Sequence, residues 1–191
     1  MKNSWICDEL NMLAASFTAL ASQAETIQQI ADVCIRAIKS GGKVMFCGNG
    51  GSAADSQHLA AEFIGRYKME RAALPAIALT VDTSILTAIG NDYGYDTVFR
   101  RQVEGLGRAG DVLIGLSTSG NSRNVLQAFE QAAAMGITTV AFTGKLGGQM
   151  KQQADICLNV PAEVTNHIQE LHITAGHLIC ELAEKAVCET L

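Results

Sequence analysis

Five short apolar runs, at residues 43–47, 75–80, 111–116, 138–142 and 155–160, alternate with longer stretches of helical character. Runs this short, apolar on both faces, are the pattern of parallel strands covered by helices on each side. Their alternation with helices predicts an α/β fold, a three-layer doubly wound sandwich around a five-stranded parallel sheet of the flavodoxin-like kind. Ahead of the first run, the first 40 residues read as two amphipathic helices. In the second of these, Ile27, Ile30, Ala31, Val33, Cys34 and Ile38 recur at helical spacing, and Gly41-Gly42 closes it. A long helical segment from about Val164 to Glu189 ends the chain. No Pro-rich linker, charge block or low-complexity tract divides the sequence, so residues 1–191 are expected to form a single domain.

Ligands of such sheets bind beyond the carboxyl ends of the strands. The loops after the first and third runs are also the most unusual in the chain: Gly48-Asn49-Gly50-Gly51-Ser52 and Ser117-Thr118-Ser119-Gly120-Asn121-Ser122, each leading into a helix. Glycines let backbone approach a ligand, a helix start offers unpaired N–H groups, and hydroxyls rotate to fit a tetrahedral anion. Ordinary turns with Ser and Asn caps would account for one such loop. Two at the same end of one sheet favour an anion site. Dinucleotide binding is the sharper rival, with Gly48-x-Gly50, Ala53 and a ribose-holding Asp82. That scheme leaves the Ser-rich loop without a task. A net charge of −5 with no Lys/Arg run argues against a nucleic-acid partner.

His58 and Glu62 are four residues apart and so neighbours on one helical face, with Arg66 continuing the line and Leu59, Ala60, Phe63 and Ile64 available for packing. An imidazole and a carboxylate so placed can bind a metal or act as base and acid, though such pairs also occur as plain surface ion pairs. The last helix alters the balance, since His167, His172 and His177 are three of only 4 histidines and stand beside Gln169 and Glu170. His177 and Gln169 are about 80° apart on a helix, while Glu170 aligns with His177 more closely; helical phase does not choose between them. His172 lies about 140° from His177 and, like His167, reads as structural or exposed.

The 6 cysteines form no C-x-x-C pair, and several sit inside apolar runs as small hydrophobes, which suits a reducing compartment. Asp8 and Glu9 stand where a signal peptide would be apolar, and no run of about 18 apolar residues could span a bilayer. A cytoplasmic protein with no membrane partner is expected.

Taken together, Gly48-Asn-Gly-Gly-Ser52, His58-x-x-x-Glu62, Gly90-Asn91-Asp92, Ser117-Thr-Ser-Gly-Asn-Ser122 and Ile168-Gln169-Glu170-x-His172 ending at His177 resemble the bacterial phosphoheptose isomerases, small sugar-isomerase (SIS) domain proteins. The likeness runs across nearly the whole chain, in family order. It implies conversion of sedoheptulose 7-phosphate to D-glycero-D-manno-heptose 7-phosphate, the first step of ADP-heptose synthesis. It implies Glu62 and His177 as the acid/base pair, and one zinc ion per subunit held by His58, Glu62, Gln169 and His177. It further implies phosphate contacts from Ser52, Ser117, Thr118, Ser119 and Ser122. Sugar contacts fall near Asn49, Gly50, Gly51, Asn91 and Asp92, with Glu62 and Gln169 also facing the substrate. Family members are homotetramers, an assembly that the helical segment 1–40 would serve. A related SIS protein is a scaffold for the bacterial replication initiator and lacks the counterparts of Glu62 and His177; this chain keeps both.

Overall fold

The computed structural model describes residues 3–189. Two helices lead in, α1 (Ser4–Leu20) and α2 (Ala24–Lys39), joined by a single 3-10 turn. The strands follow: β1 (Val44–Gly48), β2 (Ala76–Ala78), β3 (Val112–Ser117), β4 (Thr138–Thr143) and β5 (Ile156–Asn159). Between and after them come α3 (Gly51–Ile64), α4 (Thr83–Tyr93), α5 (Val98–Leu106), α6 (Arg123–Ala134), α7 (Met150–Gln153) and α8 (Thr165–Cys188). All strand pairs are parallel, as the alternating pattern predicts, and the strand order is β2-β1-β3-β4-β5.

Alternation along the buried strands sends side chains into two cores. Val44, Phe46, Ile114, Leu116 and Phe142 face one cluster with Ile30 and Cys34 of α2, Phe63 of α3 and Leu171 of α8. Met45, Cys47, Leu113 and Ala141 face the other, with Phe99 of α5 and Phe129 of α6. These side chains are almost wholly removed from water, and each Val, Leu, Ile, Phe and Met among them is worth about 1.5–3 kcal/mol of transfer free energy before the entropy of ordering is subtracted.

One helix–helix contact does most to position the polar residues of α3 and α8. A Cβ placed on Gly176 would come within 2.5 Å of Leu59, so the absence of a side chain there is what lets α8 lie close against α3. Elsewhere the structure departs from the sequence reading. α3 stops at Ile64, which is 48 % exposed rather than packed. Arg66 therefore lies beyond the helix, exposed, 3.7 Å from Glu70. Its line with His58 and Glu62 is broken. His167 and His172 are both buried, His167 reaching Glu9 of α1 at 3.0 Å. Trp5, Ile6, Leu10 and Met12 of α1 are more than half or about half exposed. Among the described residues, no helix is long and apolar enough to cross a membrane.

Candidate active site

The close approach of α3 and α8 brings the predicted His/Glu and His positions together. His58 Nε2 lies 2.8 Å from His177 Nε2 and 3.3 Å from Glu62 Oε1. One ligand-capable atom from each of His58, Glu62 and His177 falls within 4.8 Å of the others. Burial pushes His177 below its ordinary value, the neighbouring His58 adds to this, and Glu62 opposes it. At 2.8 Å the two rings form a hydrogen bond only if one nitrogen carries the proton and the other its lone pair.

Gln169 sits nearer the start of α3. Its amide donates to Asp55 Oδ1 at 3.4 Å, and a Cβ on Gly51 would come within 2.5 Å of Gln169 Nε2. Asp55 is one turn before His58 on the same face of α3 and is buried, with Oδ2 lacking a partner. Burial raises its carboxyl above the usual range, against the lowering effects of Gln169 and His58.

The Ser-rich loop closes on itself beside the end of β3. Ser117 Oγ is 2.8 Å from Ser122 Oγ and 3.5 Å from Ser119 Oγ. Backbone bonds brace it: Gly144 N donates to Thr118 O at 3.1 Å and Met150 N to Gly120 O at 3.0 Å. Gln149 N donates to Asn121 Oδ1 at 3.0 Å. In the first loop, Gly50 takes φ 57° and ψ −121°, a conformation costly for other residues, and α3 begins at the next residue. Ser52 is buried there. Asn49 and Asn124 exchange amide hydrogen bonds at 2.9 and 2.8 Å, and Tyr95 Oη donates to Asn49 Oδ1 at 3.2 Å. The first loop is thereby tied to the first turn of α6, the helix that follows the second loop. Asn91 donates to Asp92 at 2.8 Å on exposed α4. Asp82, the ribose holder of the dinucleotide alternative, is the N-cap of α4 instead, accepting from Ile85 N at 2.9 Å.

His172 stands apart from this chemistry. Its side chain is fully buried against Phe142, and neither ring nitrogen has a hydrogen-bond partner of good geometry. Burial pushes it down to about 4, with the Thr143 backbone acting weakly the other way. A folded-state value below the ordinary 6.5 makes its neutral form a source of stability that is complete above pH 6.5 and is lost as pH falls through 4. Urea unfolding at pH 7 and pH 4.5 should therefore show an acid-sensitive step of about 2–3 kcal/mol from this residue, absent in His172→Leu.

Several residues around the site escaped the sequence reading. Asp55 could have been found as the position three before His58. Asn124 looks like an ordinary residue of a helix's first turn. Arg71 and Glu184 look like solvent charges in the sequence, yet they are buried against each other.

Comparison with known proteins agrees with this geometry. The model of the SIS domain family matches residues 10–144. The phosphoheptose isomerase of Akkermansia muciniphila is 60% identical over 185 residues, 97% of this chain and 98% of that protein. That of Clostridium acetobutylicum is 58% identical over 161 residues, 84% of this chain and 82% of its own. The solved phosphoheptose isomerase of Neisseria gonorrhoeae superposes with a TM-score of 0.91 at 42% identity, covering 97% of this chain and 100% of that one. With the α3–α8 cluster and both loops in place, the chain belongs to the phosphoheptose isomerase family of SIS-domain proteins.

Proposed function

We propose that the protein interconverts sedoheptulose 7-phosphate and D-glycero-D-manno-heptose 7-phosphate by moving a proton between neighbouring carbons through an enediol. The observation that carries this reading is the convergence of His58, Glu62 and His177 within 4.8 Å, from two helices far apart in sequence. Glu62 and His177 are the acid/base pair, acting on adjacent carbons of the opened sugar. Asp55 and Gln169 close the site on the α3 side. The names of the relatives and the site chemistry support a phosphorylated heptose as substrate.

The donor set fits a divalent ion. Two imidazole nitrogens and a carboxylate converge, and the 2.8 Å between the nitrogens would need to open by about half an ångström for both to bind one zinc ion at about 2.0–2.1 Å. His58, Glu62 and His177 would hold zinc, with the Gln169 amide oxygen as fourth ligand; the ion would supply polarisation of the sugar carbonyl. A lone pair held by the ion is not free to take a proton, so Glu62 and His177 would remove and return the substrate proton only when shifted off the ion, and zinc and catalysis compete for them.

The 7-phosphate is a remote handle, whose binding energy positions the reacting carbons. Ser117, Thr118, Ser119, Ser122 and Ser52 receive it, with the sugar against the backbone of Gly50 and Gly51 and near Asn49, Asn91 and Asp92. Ser119→Ala should raise KM by a factor matching about 1 kcal/mol or more, a lost charged hydrogen bond, while kcat changes less. A single SIS domain over 1–191, assembled as a cytoplasmic homotetramer through the α1–α2 segment, completes the proposal; the exposed apolar side chains of α1 support that part. Product would feed ADP-heptose synthesis.

The test is incubation of the purified protein with sedoheptulose 7-phosphate, with and without a chelator. Formation of the aldoheptose phosphate, lost on chelation and restored by zinc, is expected. A protein that binds the sugar and never converts it is a scaffold, and the proposal fails.

A further inference from the structure

We propose that Tyr67 is a positioning residue for His177, and that a buried Arg71–Glu184 pair holds Tyr67 in place. The Tyr67 ring stacks on the His177 imidazole with centroids 5.5 Å apart and planes 24° apart. The ring is partly buried and also packs against the core cluster that α2, α3 and α8 form on one face of the sheet, while Lys68 Nζ lies 5.2 Å from the Tyr67 centroid and 2.7 Å from Glu181. An imidazole at the rim of a site, joined to its helix by two rotatable bonds, turns freely unless a neighbour restrains it. A flat ring laid nearly parallel against it fixes the plane in which Nε2 points. The opposing edge of the imidazole is set by His58, whose ring meets it at 77°.

The segment that carries Tyr67 has no regular structure, and its backbone is held by one carboxylate. Glu184, two turns beyond His177 on the same face of α8, accepts from Tyr67 N at 2.9 Å, Lys68 N at 2.7 Å and Met69 N at 2.8 Å. Arg71 Nε completes the shell at 3.0 Å, and both side chains are 1% exposed. The same guanidinium donates to the carbonyls of Glu62 at 2.8 Å, Phe63 at 2.9 Å and Ala72 at 2.9 Å. Arg71 thus caps the end of α3 at Glu62 itself, while Glu184 shapes the turn that presents Tyr67. One buried ion pair ties the backbone of Glu62 to the orientation of His177.

This inference rests on the reading of His177 as a metal ligand and acid/base group, and its test separates the two. Wild type, Tyr67→Phe, Tyr67→Leu and Tyr67→Ala are compared in kcat and KM for sedoheptulose 7-phosphate, in thermal melting, and in zinc affinity by competition with a chromogenic chelator. Tyr67→Phe keeps the flat ring and should stay within about threefold of wild type in all readouts. Tyr67→Leu and Tyr67→Ala should lose about tenfold or more in kcat with KM within about twofold. Both should also bind zinc about tenfold more weakly. Tyr67→Leu retains apolar bulk, so it reads the ring's role even where the alanine variant melts early. Wild-type kcat and zinc affinity in Tyr67→Leu would overturn the proposal, as would a Tyr67→Phe variant as impaired as the leucine one. If the wild type does not convert the heptose phosphate, the isomerase reading falls, while the order of zinc affinities still decides the role of Tyr67.

Discussion

Replacing Glu62 by Gln will reduce turnover by about a hundredfold to ten-thousandfold, the range for loss of a positioned acid/base group. The amide keeps the shape of the side chain but neither takes nor gives the proton that the enediol route requires. Stability should hold within about 0.5 kcal/mol, because the Glu62 side chain is 21% exposed and its contact with His58, at 3.3 Å, is a partly solvated pair. Initial rates beside a thermal melt check both halves. Unchanged activity in a folded variant would refute the role assigned to Glu62.

Arg71→Ala should cost about 3–5 kcal/mol of stability. The substitution leaves Glu184 buried without its counter-ion and removes the donor from the carbonyls of Glu62, Phe63 and Ala72. Glu184 is held below its ordinary value: burial works to raise it, but the backbone donors of Lys68, Tyr67 and Met69 and the charge of Arg71 outweigh burial. Arg71→Ala removes one of these lowering influences and leaves the three backbone donors. Urea denaturation of Arg71→Ala, Glu184→Ala and the double variant measures the coupling. The double variant should be less destabilised than the sum of the singles, because it leaves no lone buried charge. Additive losses would show that the pair is not coupled.

The sheet was legible because buried parallel strands are short apolar runs, and β1, β3 and β4 begin and end within a residue or so of the expected positions. Helical phase also placed His58 and Glu62 on one face. Long-range approach is a different matter. Nothing local in the sequence announces that Gly176 meets Leu59, yet that contact sets α8 against α3 and so brings His177 to His58. Helical phase left Gln169 and Glu170 both open as partners of His177, whereas the resemblance selected Gln169. In the structure Gln169 lies against Gly51 and Asp55, and Glu170 buries an unpartnered Oε2. Arg71 and Glu184 were hidden for a related reason: a charged residue looks solvated until the fold supplies its partner from 113 residues away. Arg66 misled in the opposite direction, since Gly65 ends the helix before the face it was assigned to can continue.

The most direct measurement is isomerisation in deuterium oxide, with the product examined for deuterium at the carbon next to the carbonyl. Proton shuttling by Glu62 and His177 through an enediol predicts solvent deuterium at that carbon in the wild-type product, and formation of that product slowed by about a hundredfold or more with Glu62→Gln. Full carry-over of the substrate's own hydrogen, with turnover intact, would mean that the two side chains do not exchange the migrating proton and would contradict the acid/base account of the α3–α8 cluster.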